Sequence, residues 1–120
     1  VIVTAHQPNF LPGKSVLDKI AVSNAVIWLD EVQYTKGGYT NRNRLPNGSW
    51  LTVPVDRDTD GLAINRVRIS EHGAWRLRTT RSLEQLDGNR NVIAELTEEI
   101  NRPYRLLVGL NLALLDIGSF

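Results

Sequence analysis

Three short polar strings hold the residue types best suited to chemistry: His6-Gln7-Pro8, Asp30-Glu31-Val32-Gln33 and Asn41-Arg42-Asn43-Arg44. An imidazole titrates near neutrality, so His6 is a candidate general base, or a donor to a phosphoryl oxygen. Asp30 is the carboxylate to pair with it, suited to a ribose hydroxyl, a substrate amine or a metal, and Gln33 both donates and accepts. Asn41 to Arg44 offers two guanidinium forks and two amides, a donor set that suits phosphate or carboxylate. In an extended segment, alternation sends Asn41 and Asn43 to one face and Arg42 and Arg44 to the other, so one pair can serve a ligand while the other stays solvated. Gln7 belongs to the first string, and Lys14 stands where a cation would meet a phosphate at a helix start. Each residue has a structural alternative as well: His6 bonding a loop carbonyl, Asp30 capping a turn, Gly37-Gly38 forming only a turn.

Other chemistries lack their residues. The chain has no cysteine, which excludes disulfides, thiolate metal sites and cysteine nucleophiles. Two histidines are too few for a histidine-rich metal site. No cofactor is called for, and a single carboxylate-bound magnesium at Asp30 is the one metal left open. Walker, GxGxxG, HExxH and GxSxG signatures are missing. A net charge of +1 provides no global field toward nucleic acid or an anionic membrane. The basic stretch Arg66, Arg68, Arg76, Arg78 and Arg81 keeps a nucleic-acid surface as an alternative, although a solvated face partly neutralised by Glu84, Asp87, Glu95, Glu98 and Glu99 is the favoured account.

The elements that must position these residues follow from hydrophobic pattern. Ile2 to Ala5 reads as a buried strand ending at the His6 loop, and Val16, Leu17, Ile20 and Ala21 mark a helix with Ser15 as its N-cap. Ala25 to Leu29 is a second strand ending at Asp30. Strand, loop, helix, strand is a βαβ unit, which places His6 and Asp30 at neighbouring strand ends where α/β sheets bind ligands. Trp50 to Val55 and Ile64 to Ile69 are expected to form a hairpin joined by Asp56 to Gly61. Helices are expected over Trp75 to Leu86, over Val92 to Ile100, and from Pro103 through Ile117. The last is apolar on nearly every side, so it must be central, covered by further chain, or a homodimer contact.

The predicted class is therefore α/β: a βαβ start with a small, mostly parallel sheet, a following β-hairpin and C-terminal helices. With 120 residues and 42% hydrophobic content, one core is expected, with a site-bearing region over 1–70 and a helical region over 74–118. Val1 to Ala5 lacks the basic n-region of a signal peptide, and the longest uncharged run, Leu106 to Leu115, is about half of the ~20 residues of a membrane span. No membrane span and a cytoplasmic location are expected.

Five strings in order, Ala5-His6-Gln7-Pro8-Asn9-Phe10-Leu11-Pro12, Asp18-Lys19-Ile20-Ala21, Leu29-Asp30-Glu31-Val32-Gln33-Tyr34, Asn41-Arg42-Asn43-Arg44 and Trp50-Leu51-Thr52-Val53-Pro54-Val55, resemble the WbqC-like family. The resemblance is close over Val1 to Val55, loose as far as Trp75, and lost from about Ser82. Because family members are considerably longer, it implies either a minimal version or the N-terminal part of a longer protein. It also implies a role in O-antigen or surface-polysaccharide biosynthesis, with transfer of an aminoacyl (glycyl) or acyl group onto a sugar nucleotide or related phosphorylated acceptor. His6, Gln7, Asp30, Gln33 and Asn41 to Arg44 are the matching positions. Gly13-Lys14-Ser15 departs from the family's aromatic-glycine pair and adds a positive charge. The alternatives are a nucleotidyltransferase-like enzyme, whose second motif histidine is missing, a nucleic-acid-binding or base-modifying protein, and a silent subunit docking through its last helix.

Overall fold

The structure is a computed structural model that describes residues 1–118. Strand β1 (Val3–His6) and strand β2 (Ala25–Trp28) pair in parallel, with His6 opposite Trp28, and helix α1 (Lys14–Ala21) crosses between them. Helix α1 begins one residue before Ser15, the expected cap. Gly13 is the N-cap, with its carbonyl accepting the Val16 and Leu17 amides, so the first turn closes before the hydroxyl can cap it. At the other end, the Ser23 hydroxyl donates to the Lys19 carbonyl at 2.7 Å and is bonded to the Thr4 hydroxyl. Asn24 Oδ1 accepts the Ile2 amide at 2.8 Å. These bonds fasten the exit of α1 to β1.

The expectation that β1 is buried on both faces is corrected. Thr4 is buried and His6, Val26 and Trp28 are half-buried, but the opposite face, carrying Val1, Val3, Ala5, Ala25, Ile27 and Leu29, is exposed. Only two strands pair here, and Val3 and Ile27 remain 56% and 54% exposed.

The hairpin joins a different pair of segments from those expected. Strand β3 (Arg42–Arg44) pairs antiparallel with β4 (Trp50–Thr52) around Leu45-Pro46-Asn47-Gly48-Ser49. The Gly48 amide donates to the Leu45 carbonyl at 2.8 Å, Asn47 Oδ1 accepts the Ser49 amide at 3.1 Å, and Gly48 has φ +89°. Pro, Asn and Gly in succession have the backbone preferences this turn needs. Ile64–Arg66 forms a single 3-10 turn instead of a strand, because the Ile64 and Asn65 amides donate to the carbonyls of Val32 and Asp30. Only the end of that segment pairs, Ile69 with Val55 and Arg68 with Leu106.

Helices α2 (Trp75–Glu84), α3 (Arg90–Ile100) and α4 (Leu107–Ile117) complete the chain. Asn89 caps α3 by accepting from the Asn91 and Val92 amides. Pro103 does not start α4. The backbone from Tyr104 to Leu106 is taken up beside Val67 to Ile69, with the Ile69 amide donating to the Arg105 carbonyl and the Leu107 amide to that of Val67, so the helix begins after this contact. Leu107, Leu110 and Leu114 are at most 1% exposed, which gives α4 its place at the centre. Within the two expected helical spans, Trp75, Leu83, Leu86, Ile93, Leu96 and Ile100 are all buried and join them in one apolar cluster that reaches back to Phe10. Among the described residues no helix is long and apolar enough to cross a membrane.

Candidate functional site

His6 is the last residue of β1, and its carbonyl accepts the Leu29 amide at 2.9 Å. Asp30 therefore follows immediately beyond the adjoining strand end. His6 Nδ1 lies 2.7 Å from the Gln7 carbonyl oxygen. A carbonyl can only accept, so Nδ1 carries the hydrogen and, in the neutral ring, Nε2 keeps the lone pair. The half-buried ring thus presents its basic nitrogen away from the loop that holds it. Asp30 is half-buried, and its carbonyl is fixed by the Asn65 amide at 2.8 Å. Gln7 and Gln33 are exposed, and Gln33 is anchored only through its backbone bridge to Ala63.

The third string is tied to the His6 loop by the Asn43 amide. Asn43 Nδ2 donates to the carbonyls of Phe10 at 3.3 Å and Leu11 at 2.5 Å. Asn41 Nδ2 donates to Val53 at 2.9 Å. From α4, the fully buried Asn111 donates to the Pro8 carbonyl at 2.7 Å and to the Thr40 carbonyl at 2.8 Å, joining the two loops through one side chain. The arginines take other partners. Arg42 donates to Gly37 and Gly38 and lies 4.6 Å over the Trp50 ring, which itself stacks with Tyr39. Arg44 donates to Gly48 at 3.1 Å.

These strings are neighbours, yet they do not line one cleft. A cleft of about 420 Å3 at the start of α1 brings together Lys14, Asn43 and Arg44 over apolar walls that include Leu17, Leu114 and Leu115. A larger cleft of about 720 Å3 contains Asn41 and Arg42 with Tyr34, Lys36 and the Asp56 to Asp60 loop. Neither is lined by His6, Gln7, Asp30 or Gln33. Among the described residues two that are not glycine have positive φ, Leu11 at 44° and Asp58 at 63°, and each lines one of these clefts. Such conformations persist only where the surroundings hold them.

The basic stretch has largely structural partners at its centre. Arg76 pairs with Glu71 at 2.6 Å, stacks over Trp75, and donates to the carbonyls of Ile100, the last residue of α3, and of Arg102 beyond it. Its hydrogen bond and charge hold the Glu71 carboxyl below the usual carboxylate range. No cluster of three or more His, Cys, Asp or Glu suited to a metal occurs among the described residues.

The WbqC-like protein family matches the sequence over residues 7–118, from the His6 loop through α4. The chain belongs to the WbqC-like family. The match thus continues well past Ser82, where the resemblance read from the strings ended. This WbqC-like chain is also 40% identical over 56 residues to the uncharacterized protein Rv1507c of Mycobacterium tuberculosis. That stretch is 44% of this chain and 24% of the relative, so the shared region is about a quarter of the relative's length. No solved structure matches the chain.

Sequence reasoning missed Tyr34 and Lys36, the charged loop from Asp56 to Asp60, and Asn111. Asn111 did leave a signal, because it is the lone amide in an uncharged apolar run and a buried amide needs partners. Tyr34 left none, since its burial depends on the fold of segments distant in sequence.

Proposed function

We propose that this WbqC-like protein supplies the phosphate-binding and proton-transfer parts of a transferase. The enzyme would move an aminoacyl group, glycyl in the first instance, or an acyl group onto a sugar nucleotide or related phosphorylated acceptor. The observation that carries this reading is the His6 tautomer: with Nδ1–H held by the Gln7 carbonyl, Nε2 is left as a base at the C-terminal end of a parallel strand. The acceptor's amine or hydroxyl attacks the carbonyl of an activated donor while its proton passes to Nε2. The proton then returns to the departing group. Asp30, just past the end of the neighbouring strand, offsets the charge of the imidazolium. Proton transfer of this kind contributes about 10²–10⁴-fold, and orientation supplies more.

The cleft at the start of α1 supports a phosphate site. Lys14 and Arg44 meet there beside the unpaired amides of a helix N-terminus, which favour negative charge. The Lys14 ion pair with Asp18 is solvent-exposed and worth little, so the ammonium can exchange it for a phosphate. The apolar wall from Leu17, Leu114 and Leu115 suits the hydrocarbon part of a donor. Changing Lys14 and Arg44 together to Ala is expected to raise the acceptor KM roughly tenfold or more while kcat changes little. An unchanged KM would remove the phosphate from this cleft.

A further inference from the structure

The 720 Å3 cleft is of a size that takes small molecules, whose sites run to about 300–1,000 Å3. Its floor carries polar groups that no protein atom among the described residues pairs. Tyr34 is 3% exposed, lines the cleft, and its hydroxyl has no hydrogen-bond partner among the described residues. Asn41 is 9% exposed and spends its Nδ2 on the Val53 carbonyl, while its Oδ1 has no partner there either. Neither oxygen is sealed from solvent, so both open toward the cleft. Solvent reaches both, so a ligand hydroxyl can take the place of water as their partner.

The walls carry both signs of charge. Lys36, Arg42 and Arg57 share the cleft with Asp56, Asp58 and Asp60, yet no ion pair forms between any two of them. Arg42 is held in place by the Gly37 and Gly38 carbonyls and by the Trp50 ring, so it stays in position instead of reaching across. Opposite charges that line one cleft without meeting leave room for a ligand that bears both.

We propose that this cleft binds a small hydroxylated zwitterion of the amino sugar phosphate class. Its phosphate meets Lys36, Arg42 and Arg57, and its ammonium meets the carboxylates of the Asp56 to Asp60 loop. Its ring hydroxyls pair the Tyr34 hydroxyl and Asn41 Oδ1. A bare amino acid lacks the hydroxyls for the floor, and a neutral sugar leaves both sets of charges unmatched. The site goes beyond the transferase reading, since it is separate from the α1 cleft and its occupancy needs no reaction.

The test is calorimetric titration of the full chain with glucosamine 6-phosphate, set against glucose 6-phosphate, glucosamine and inorganic phosphate. Glucosamine 6-phosphate is expected to bind at least about tenfold more tightly than each of the others. Tyr34→Phe is expected to weaken that binding about fivefold to tenfold with no loss in melting temperature, because the hydroxyl has no protein partner to lose. Asp60→Asn, at an exposed position, is expected to erase the preference for the amine over the hydroxyl sugar. Equal affinity for glucose 6-phosphate, glucosamine 6-phosphate and inorganic phosphate would show a cation patch only and overturn the proposal. So would the absence of binding, or full binding by both variants. Because no turnover is read, failure here leaves the role of His6 standing.

Discussion

At the residue scale, position in the chain and position in the site are different things for Asn111. It comes 67 residues after Arg44, yet its amide holds the Pro8 and Thr40 carbonyls and so fixes the loop after His6 against the segment before Asn41. Asn111→Leu keeps the branched shape of the side chain but leaves both carbonyls unpaired in the core. It is expected to cost about 2–4 kcal/mol in urea unfolding, at about 1–3 kcal/mol per orphaned group with partial relaxation. Tyr34 makes a second prediction at this scale. Burial first, then the charge of Asp60, push its phenol above the ordinary value of 10.0, and Arg42 draws it partly back. The folded state therefore holds the phenolic proton more tightly than the unfolded chain. The corresponding stability is complete below the unfolded pKa and is lost as pH rises through the folded one. Tyr104, raised chiefly by its hydrogen bond to Glu99, adds to the same alkaline window. Unfolding measured from about pH 9 to about pH 11 should show the decline, and Tyr34→Phe should make it shallower.

The placement of His6 at the end of β1 and of Asp30 two residues past the end of β2 was legible at this scale, because it follows from the βαβ connection alone. The pairing of Asn43 with Phe10 and Leu11 was not. It depends on β3 crossing the His6 loop, which no local pattern specifies.

At the element scale, the hairpin shows how two signals compete. Trp50 to Val55 and Ile64 to Ile69 have strand-like composition, but Pro46-Asn47-Gly48 has the geometry of a reversal and sits between two segments only three residues long. The turn prevailed, and the amides of Ile64 and Asn65 went to Val32 and Asp30 instead. Gly48→Val forces a β-branched residue to φ +89° and is expected to destabilise the protein by about 1–2 kcal/mol, read from the denaturation midpoint. Because Leu45 and Leu51 pack into the core on either side of the turn, the loss should be global and not confined to the hairpin. Helices α2 and α3 were legible from the spacing of Trp75, Leu83, Ile93, Leu96 and Ile100. The start of α4 was not, since Tyr104 to Leu106 is held extended by contacts with Val67 to Ile69.

At the scale of the whole molecule, α4 joins the helical region to the loops of the candidate site. Leu110 lies in the apolar cluster, and its neighbour Asn111 reaches the two site loops. Leu110→Ala is expected to cost about 2–5 kcal/mol. The loss should appear in one cooperative transition by both fluorescence and circular dichroism. The cluster that α4 completes leaves the outer face of β1 and β2 uncovered, and a hydrophobic pattern cannot distinguish an apolar strand with one face packed from one with both.

The account rests on His6 Nε2 as the base at the end of β1. The most direct measurement is mass-spectrometric detection of aminoacylated or acylated product from a sugar nucleotide and an activated donor, comparing the native chain with His6→Ala. The account predicts a transferred product whose rate falls about 10²–10⁴-fold in the variant, with the melting temperature little changed because the ring is only half-buried. Product formed at the native rate by His6→Ala would contradict it.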